Sequence, residues 1–118
     1  MATVFVLEDD PDLLELYTRA LTFKGHEVTH TNTAENAIKM LEGDYVPDVA
    51  VLDMSMPGLS GAAVVDFIRS RSDCAGLPII VVSCDEDFRE RLREAEVKFM
   101  VKPISIVDLY QAVASYAA

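Results

Sequence analysis

The sequence predicts an α/β fold: a doubly wound parallel sheet of five strands with helices on both faces. Three observations carry that expectation. Short apolar runs alternate with stretches whose apolar residues recur at helical spacing. The first run, Thr3-Val4-Phe5-Val6-Leu7, is apolar almost throughout, as a strand covered on both faces must be. The helical stretches are bracketed by residues that start and stop helices.

In chain order, the first strand is followed by Asp10 as an N-cap and Pro11 at the first helical position. Leu13, Leu14, Tyr17, Ala20 and Leu21 then mark one helix face, and Gly25 ends the helix. Residues 27–31 read as a second strand. Thr33 caps a helix carrying Ala34, Ala37, Ile38 and Leu41, closed by Gly43. A third strand, Val49-Ala50-Val51-Leu52, follows Pro47. The turn Pro57-Gly58-Leu59-Ser60-Gly61 leads into a helix with Val64, Val65, Phe67 and Ile68. Ile79-Ile80-Val81-Val82 is the fourth strand, residues 87–94 a short charged helix, and residues 97–101 the fifth strand. Ser105 with Asp108 resembles a capping box for a last helix reaching about residue 116. Alternation of this kind means right-handed crossovers and a parallel sheet.

At 118 residues, 51% hydrophobic and 25% charged, the chain can bury one core, so residues 1–118 are expected to form a single domain with no further output domain. No apolar run reaches the roughly 20 residues of a membrane span, and Met1-Ala2-Thr3-Val4 lacks the basic start of a secretory signal. Ten basic against 20 acidic residues give a net charge of -10. That balance argues against direct nucleic-acid binding and against anionic membranes, and suits a cation. A strand between Cys74 and Cys84 holds their sulfurs apart, so two free thiols and a cytoplasmic location are expected.

In doubly wound sheets ligands bind beyond the carboxyl ends of the strands. The first strand is followed by Glu8, Asp9 and Asp10, the third by Asp53, the fourth by Ser83, and the fifth by Lys102 and Pro103. Converging carboxylates repel unless a cation neutralises them, and oxygen ligands without His or Cys select a hard ion such as Mg²⁺. A metal, an ammonium and a hydroxyl around one carboxylate suit a phosphoryl group, with that carboxylate as nucleophile.

At these residues the sequence resembles the response-regulator receiver domains of two-component signalling. The matching segments are Val6-Leu7-Glu8-Asp9-Asp10-Pro11, Leu52-Asp53-Met54-Ser55-Met56-Pro57-Gly58-Leu59-Ser60-Gly61, Ile80-Val81-Val82-Ser83 and Val101-Lys102-Pro103. Each motif alone is weak, but all of them in order, each at a strand end, are specific, and they span the chain. The resemblance implies the flavodoxin-like strand order 2-1-3-4-5. It implies Asp53 as phosphoacceptor and Asp9, Asp53 and the Ser55 backbone carbonyl as Mg²⁺ ligands, with Mn²⁺ an acceptable substitute. Glu8 would bind the metal through water and Lys102 would contact the phosphoryl group. Ser83 and Phe99 would be the switch hydroxyl and switch aromatic, and Ser55 and Asp85 would set the lifetime of the acyl phosphate. The Lys102-Pro103 bond is expected to be cis, as X-Pro permits. The donor would be a phosphohistidine on a sensor histidine kinase or a histidine phosphotransfer protein, docking around Leu14, Tyr17 and the loop after Lys102. The reader of the signal would be an unidentified downstream protein, with the domain itself a monomer or a weak phosphorylation-dependent dimer.

Some positions depart from the family pattern. Cys84 stands where Ala or Gly is usual and narrows access for small phosphodonors. Ser83 and Lys102 are closer in sequence than usual, so the fourth helix should be about a turn short. Ala95-Glu96 replaces the usual Gly-Ala, and Phe99 has no hydroxyl. Simpler readings remain for individual residues: Asp10 as a helix cap rather than a ligand, Phe99 as core, Cys84 as packing, and His26 and His30 as surface residues. A dehalogenase-like phosphohydrolase needs an acid where Ser55 stands, and a flavin-phosphate cradle would be repelled by Glu8-Asp9-Asp10. Within the signalling class, the alternatives are a phosphorelay intermediate or phosphate sink, or a receiver fragment of a larger regulator or hybrid kinase. No turnover of an outside substrate is expected.

Overall fold

The computed structural model describes residues 2–54, 61–71 and 75–116. Five parallel strands, β1 (Thr3–Leu7), β2 (Glu27–Thr31), β3 (Val49–Asp53), β4 (Ile79–Ser83) and β5 (Lys98–Val101), form one sheet in the order β2-β1-β3-β4-β5. The helices are α1 (Pro11–Phe23), α2 (Ala34–Glu42), α3 (Gly61–Ser70), α4 (Asp87–Arg91) and α5 (Ile106–Ala114).

Alternate residues of each central strand face opposite layers. Phe5, Leu7, Ala50, Leu52, Ile79 and Val81 pack with Leu41, Val64, Val65 and Ile68 of α2 and α3. Val4, Val6, Val49, Val51, Ile80 and Val82 pack with Tyr17 and Leu21 of α1 and Leu109 and Val113 of α5. Because β1, β3 and β4 are covered on both sides, their strand interiors tolerate only apolar residues. Polar groups are therefore expelled to the strand ends, which is where the functional residues of the sequence stand.

The starts of the helices follow local chemistry. Asp10 caps α1, its Oδ1 accepting from the amides of Asp12 (2.9 Å) and Leu13 (3.3 Å). Thr33 caps α2 through the Asn36 amide, and Ser105 caps α5 through the Asp108 amide. The Lys102-Pro103 bond is cis, as expected.

The region after β4 differs from the sequence expectation. The charged helix over residues 87–94 is two pieces: α4 stops at Arg91, and a 3-10 turn, Arg93–Ala95, follows. Glu96 then adopts φ 57°, ψ 52°, the left-handed conformation usually left to glycine. The cause lies on α3. Arg69 donates from Nε to the Ala95 carbonyl (2.7 Å) and from a terminal nitrogen to that of Glu96 (3.4 Å), and it also holds the carbonyls of Ala75 (3.0 Å) and Leu77 (2.7 Å). Carbonyls that a continuing helix would aim along its own axis are turned instead toward α3. The last helix ends at Ala114, short of residue 116.

Candidate functional site

Three backbone bonds carry the sheet pairing past the ends of the strands. The Glu8 amide donates to Thr31 O (3.3 Å), Met54 to Val82 O (3.2 Å) and Lys102 to Ser83 O (2.9 Å). In register, Leu7 lies beside Leu52, Asp53 beside Val82 and Ser83 beside Val101. Glu8, Asp53, Ser83 and Lys102 therefore sit along one edge of the sheet.

The side chains converge accordingly. One carboxylate oxygen from each of Glu8, Asp9 and Asp53 lies within 4.8 Å of the others. Glu8 and Asp53 are each 1% exposed, whereas Asp9 is more open to solvent. The Lys102 ammonium lies 2.8 Å from Glu8 Oε1 and 3.5 Å from Asp53 Oδ1. Burial would lower the pKa of Lys102, but the hydrogen bond to Glu8 and the charge of Asp53 outweigh it and hold the group above the usual lysine value. Tyr17, beneath the cluster, has its phenol pushed up by burial and then by the nearby Glu8 charge.

Three carboxylates against one ammonium leave a formal charge of -2, which a divalent cation would balance. Oxygen ligands at about 2.1 Å stand up to about 4.2 Å apart across an octahedral ion. The spacing observed here needs only slight closure to reach that geometry, so the donor set fits Mg²⁺. Asp10 is outside this cluster, its carboxylate committed to the cap. Ser55, and the turn over residues 57–60, lie outside the described residues, as does Cys74.

Gly61, the first residue of α3, backs directly onto Asp53. A Cβ there would clash with the Asp53 carbonyl oxygen, and would lie 2.9 Å from the Asp53 carbonyl carbon and 2.6 Å from Met54 Cε. In the sequence this glycine reads only as part of a turn, since nothing local shows that backbone packs against it.

Ser83 is fully buried at the end of β4. Its Oγ accepts from the Asp85 amide (3.0 Å), and Asp85 Oδ1 in turn accepts from the Asp87 amide (2.9 Å). Asp85 thus organises the start of α4 while its side chain remains exposed at the mouth of the site. Phe99 is half-buried on the α3 and α4 side of β5, with the Arg89 guanidinium 4.7 Å above its ring.

Cys84 is exposed, its thiol free. With Leu13, Leu16, Tyr17, Lys102, Pro103 and Ile104 it lines a cavity of about 320 Å³ beside the acid cluster. Tyr17 is only 3% exposed and belongs to the core, whereas Leu16 is 46% exposed. Of the residues expected at the docking face, Leu14 is half-buried and Tyr17 lines this cavity from the core side. His26, expected to be a plain surface residue, is half-buried and its Nδ1 accepts from the Ala2 amide (3.1 Å).

An α/β sheet with a carboxylate cluster, a half-buried lysine and a buried strand-end serine at one edge fits a phosphoacceptor-type site. The chain belongs to the response regulator receiver domain family, whose family model matches residues 4–114. Among its relatives, Response regulator MprA of Mycobacterium ulcerans is 31% identical over 109 residues, covering 90% of this chain and 46% of that protein. The uncharacterized transcriptional regulatory protein YrkP of Bacillus subtilis is 31% identical over 110 residues, covering 93% of this chain and 47% of that protein. The chain thus spans about half the length of the curated relatives it matches. The chemotaxis response regulator CheY4 of Vibrio cholerae superimposes with a TM-score of 0.89 at 20% identity, covering 99% of each chain, which shows the shared fold. The response regulator TrrA of Thermotoga maritima, solved in complex with Mg²⁺ and BeF, has a TM-score of 0.84 at 28% identity, covering 99% of this chain and all of that one. Among the described residues, no helix is long and apolar enough to cross a membrane.

Proposed function

We propose that residues 1–118 work as a cytoplasmic phosphoacceptor switch, with Asp53 taking a phosphoryl group from a phosphohistidine on a sensor kinase or phosphotransfer protein. The observation that carries this reading is the Lys102 ammonium shared between Glu8 at 2.8 Å and Asp53 at 3.5 Å inside a carboxylate cluster. A purely structural ion pair would not need the surplus of buried acid around it.

In the transfer, an Asp53 carboxylate oxygen attacks phosphorus. A P–O bond forms and the P–N bond to the donor imidazole breaks, its electron pair staying on the departing nitrogen. Lys102 holds positive charge beside the phosphoryl oxygens. Asp9 and Asp53 would hold Mg²⁺, with the Ser55 carbonyl and, through water, Glu8. When bound, the ion supplies charge neutralisation at the phosphoryl group. Mn²⁺ satisfies the same oxygen chemistry. Ser83, whose hydroxyl donates to the Asp85 carbonyl at 3.4 Å, then turns that hydrogen to a phosphoryl oxygen, and Phe99 follows. The exposed Leu16 and half-buried Leu13 with Cys84, Pro103 and Ile104 form the face on which the donor docks. The chemistry is confined to the domain itself: it forms one acyl phosphate and hydrolyses it slowly, with Ser55 and Asp85 controlling the water, and an unidentified downstream protein reads the result.

The test is intact-protein mass after incubation with acetyl phosphate and Mg²⁺, alongside Asp53→Asn. A gain of one phosphoryl group that disappears in the variant and without Mg²⁺ is expected. A gain that persists in Asp53→Asn removes Asp53 from its role. No gain in the wild type, in Cys84→Ala, or with a panel of histidine kinases, overturns the reading.

A further inference from the structure

Phe99 lacks the hydroxyl that would anchor an outward tyrosine ring to its surroundings. Its half-buried position, packed against the core edge, must be held by contacts to the ring itself. The structure supplies one: the Arg89 guanidinium, 4.7 Å from the ring centroid, within the distance at which a cation is drawn to an aromatic face. Arg89 is braced in turn by Glu86 at 3.4 Å. Both residues belong to the segment whose first turn hangs on Ser83, through the Asp85 amide to Ser83 Oγ, the Phe88 amide to Asp85 O and the Arg89 amide to Glu86 O. A continuous line of contacts therefore runs from the switch hydroxyl to the switch aromatic along the outside of α4.

We propose that Arg89 is the positioning residue for Phe99: it latches the ring outward in the unphosphorylated domain and sets how much phosphoryl binding energy is needed to throw the switch. The inference rests on the phosphoacceptor reading given above. When the Ser83 side chain rotates to the phosphoryl group, its donated bond to the Asp85 carbonyl (3.4 Å) breaks and its Oγ draws away from the Asp85 amide (3.0 Å), the first turn of α4 shifts, and Arg89 is carried off the ring. Trigger and latch are then two ends of one short helix, and this contact takes over the holding role a tyrosine hydroxyl would have. A contact made in only one of two states shifts their ratio by its full free energy.

The experiment is a titration with beryllofluoride, an acyl-phosphate mimic, at saturating Mg²⁺, on wild type, Arg89→Ala, Arg89→Met and Arg89→Lys, each also in a Phe99→Leu background. Losing an exposed cation–π contact should tighten apparent beryllofluoride affinity about two- to fivefold in Arg89→Ala and Arg89→Met. Arg89→Lys, which keeps the charge, should fall between these and wild type. In the Phe99→Leu background the same substitutions should have no effect. A merely structural loss at α4 would weaken binding, so the sign separates the two roles. Wild type that binds beryllofluoride with Arg89→Ala equal or weaker overturns the latch alone, as does an Arg89 effect that survives without Phe99. Wild type that takes no beryllofluoride overturns the phosphoacceptor reading and the latch together.

Discussion

Gly61→Ala is the substitution in which stability and function are most directly joined. The added Cβ would meet the Asp53 carbonyl group and, at 2.6 Å, Met54 Cε. The methionine tip can swing aside, but the Asp53 backbone is a hydrogen-bonded end of β3 and the Gly61 backbone begins α3. One of these must move by most of an ångström to restore ordinary contact. Overpacking of this kind costs about 1–3 kcal/mol, and the rigid partner places it near the top of that range. At about 2.1 cal/mol/K per residue, a chain of 118 residues has an unfolding entropy near 0.25 kcal/mol/K, so a loss of about 3 kcal/mol lowers Tm by roughly 12 °C. Any displacement falls on Asp53, the proposed phosphoacceptor, so beryllofluoride binding should weaken even where the variant is fully folded. Calorimetry and a beryllofluoride titration at 15 °C would measure both. A Tm within about 3 °C of wild type, with unchanged binding, would refute the claim that α3 is seated on Asp53 through this glycine.

Four further outcomes are expected. Lys102→Met leaves Glu8, 1% exposed, without its ammonium, and should cost about 3 kcal/mol in urea denaturation with EDTA present; Mg²⁺ should recover part of that, and a midpoint equal to wild type in EDTA would contradict it. Asp85→Arg should change the acyl-phosphate lifetime several-fold while altering Mg²⁺ affinity much less, and an unchanged lifetime would remove Asp85 from control of the water. Glu96→Gly relieves a left-handed residue (φ 57°) and should raise stability by about 1 kcal/mol, read as a higher urea midpoint at constant m-value. His26 has its pKa lowered, by burial first and then by the N-terminal charge. The folded state thus takes up a proton less readily than the unfolded one, and the stability tied to neutral His26 is full above a pH of about 6.5 and declines as pH falls below it. Urea midpoints at pH 7.5 and 5.0 should converge in His26→Asn, which keeps an acceptor that does not titrate.

The strand-end residues could be read in advance because a buried parallel sheet admits polar side chains only where the chain leaves it. Glu8, Asp53, Ser83 and Lys102 therefore announced themselves as interruptions of apolar runs, and Asp10 announced itself as a cap through Pro11. What stayed hidden depends on partners distant in sequence. Arg69 grips carbonyls about 26 residues away, and carbonyls carry no sequence signature, so nothing foretold that residues 93–95 would wind as a 3-10 turn. His26 finds its acceptor role only because β1 and β2 are adjacent. The depth of Tyr17 was hidden too, because helical periodicity marks a face and not how far the sheet covers each of its residues.

Helix α4 buries none of its own residues. It is moored at one end by the Ser83 hydroxyl and at the other by Leu92, 4% exposed, and the Arg69 grip on Ala95 and Glu96. Between those ends the half-buried Phe88 and the Arg89–Phe99 contact hold it more lightly than a buried face would, so its amides should exchange with solvent by local opening before the sheet unfolds. On the proposed function, the face that responds to Asp53 is thereby also one that is only lightly held. A partner that recognises this face need not distinguish two rigid shapes; it can sense how often one short turn of chain is in place.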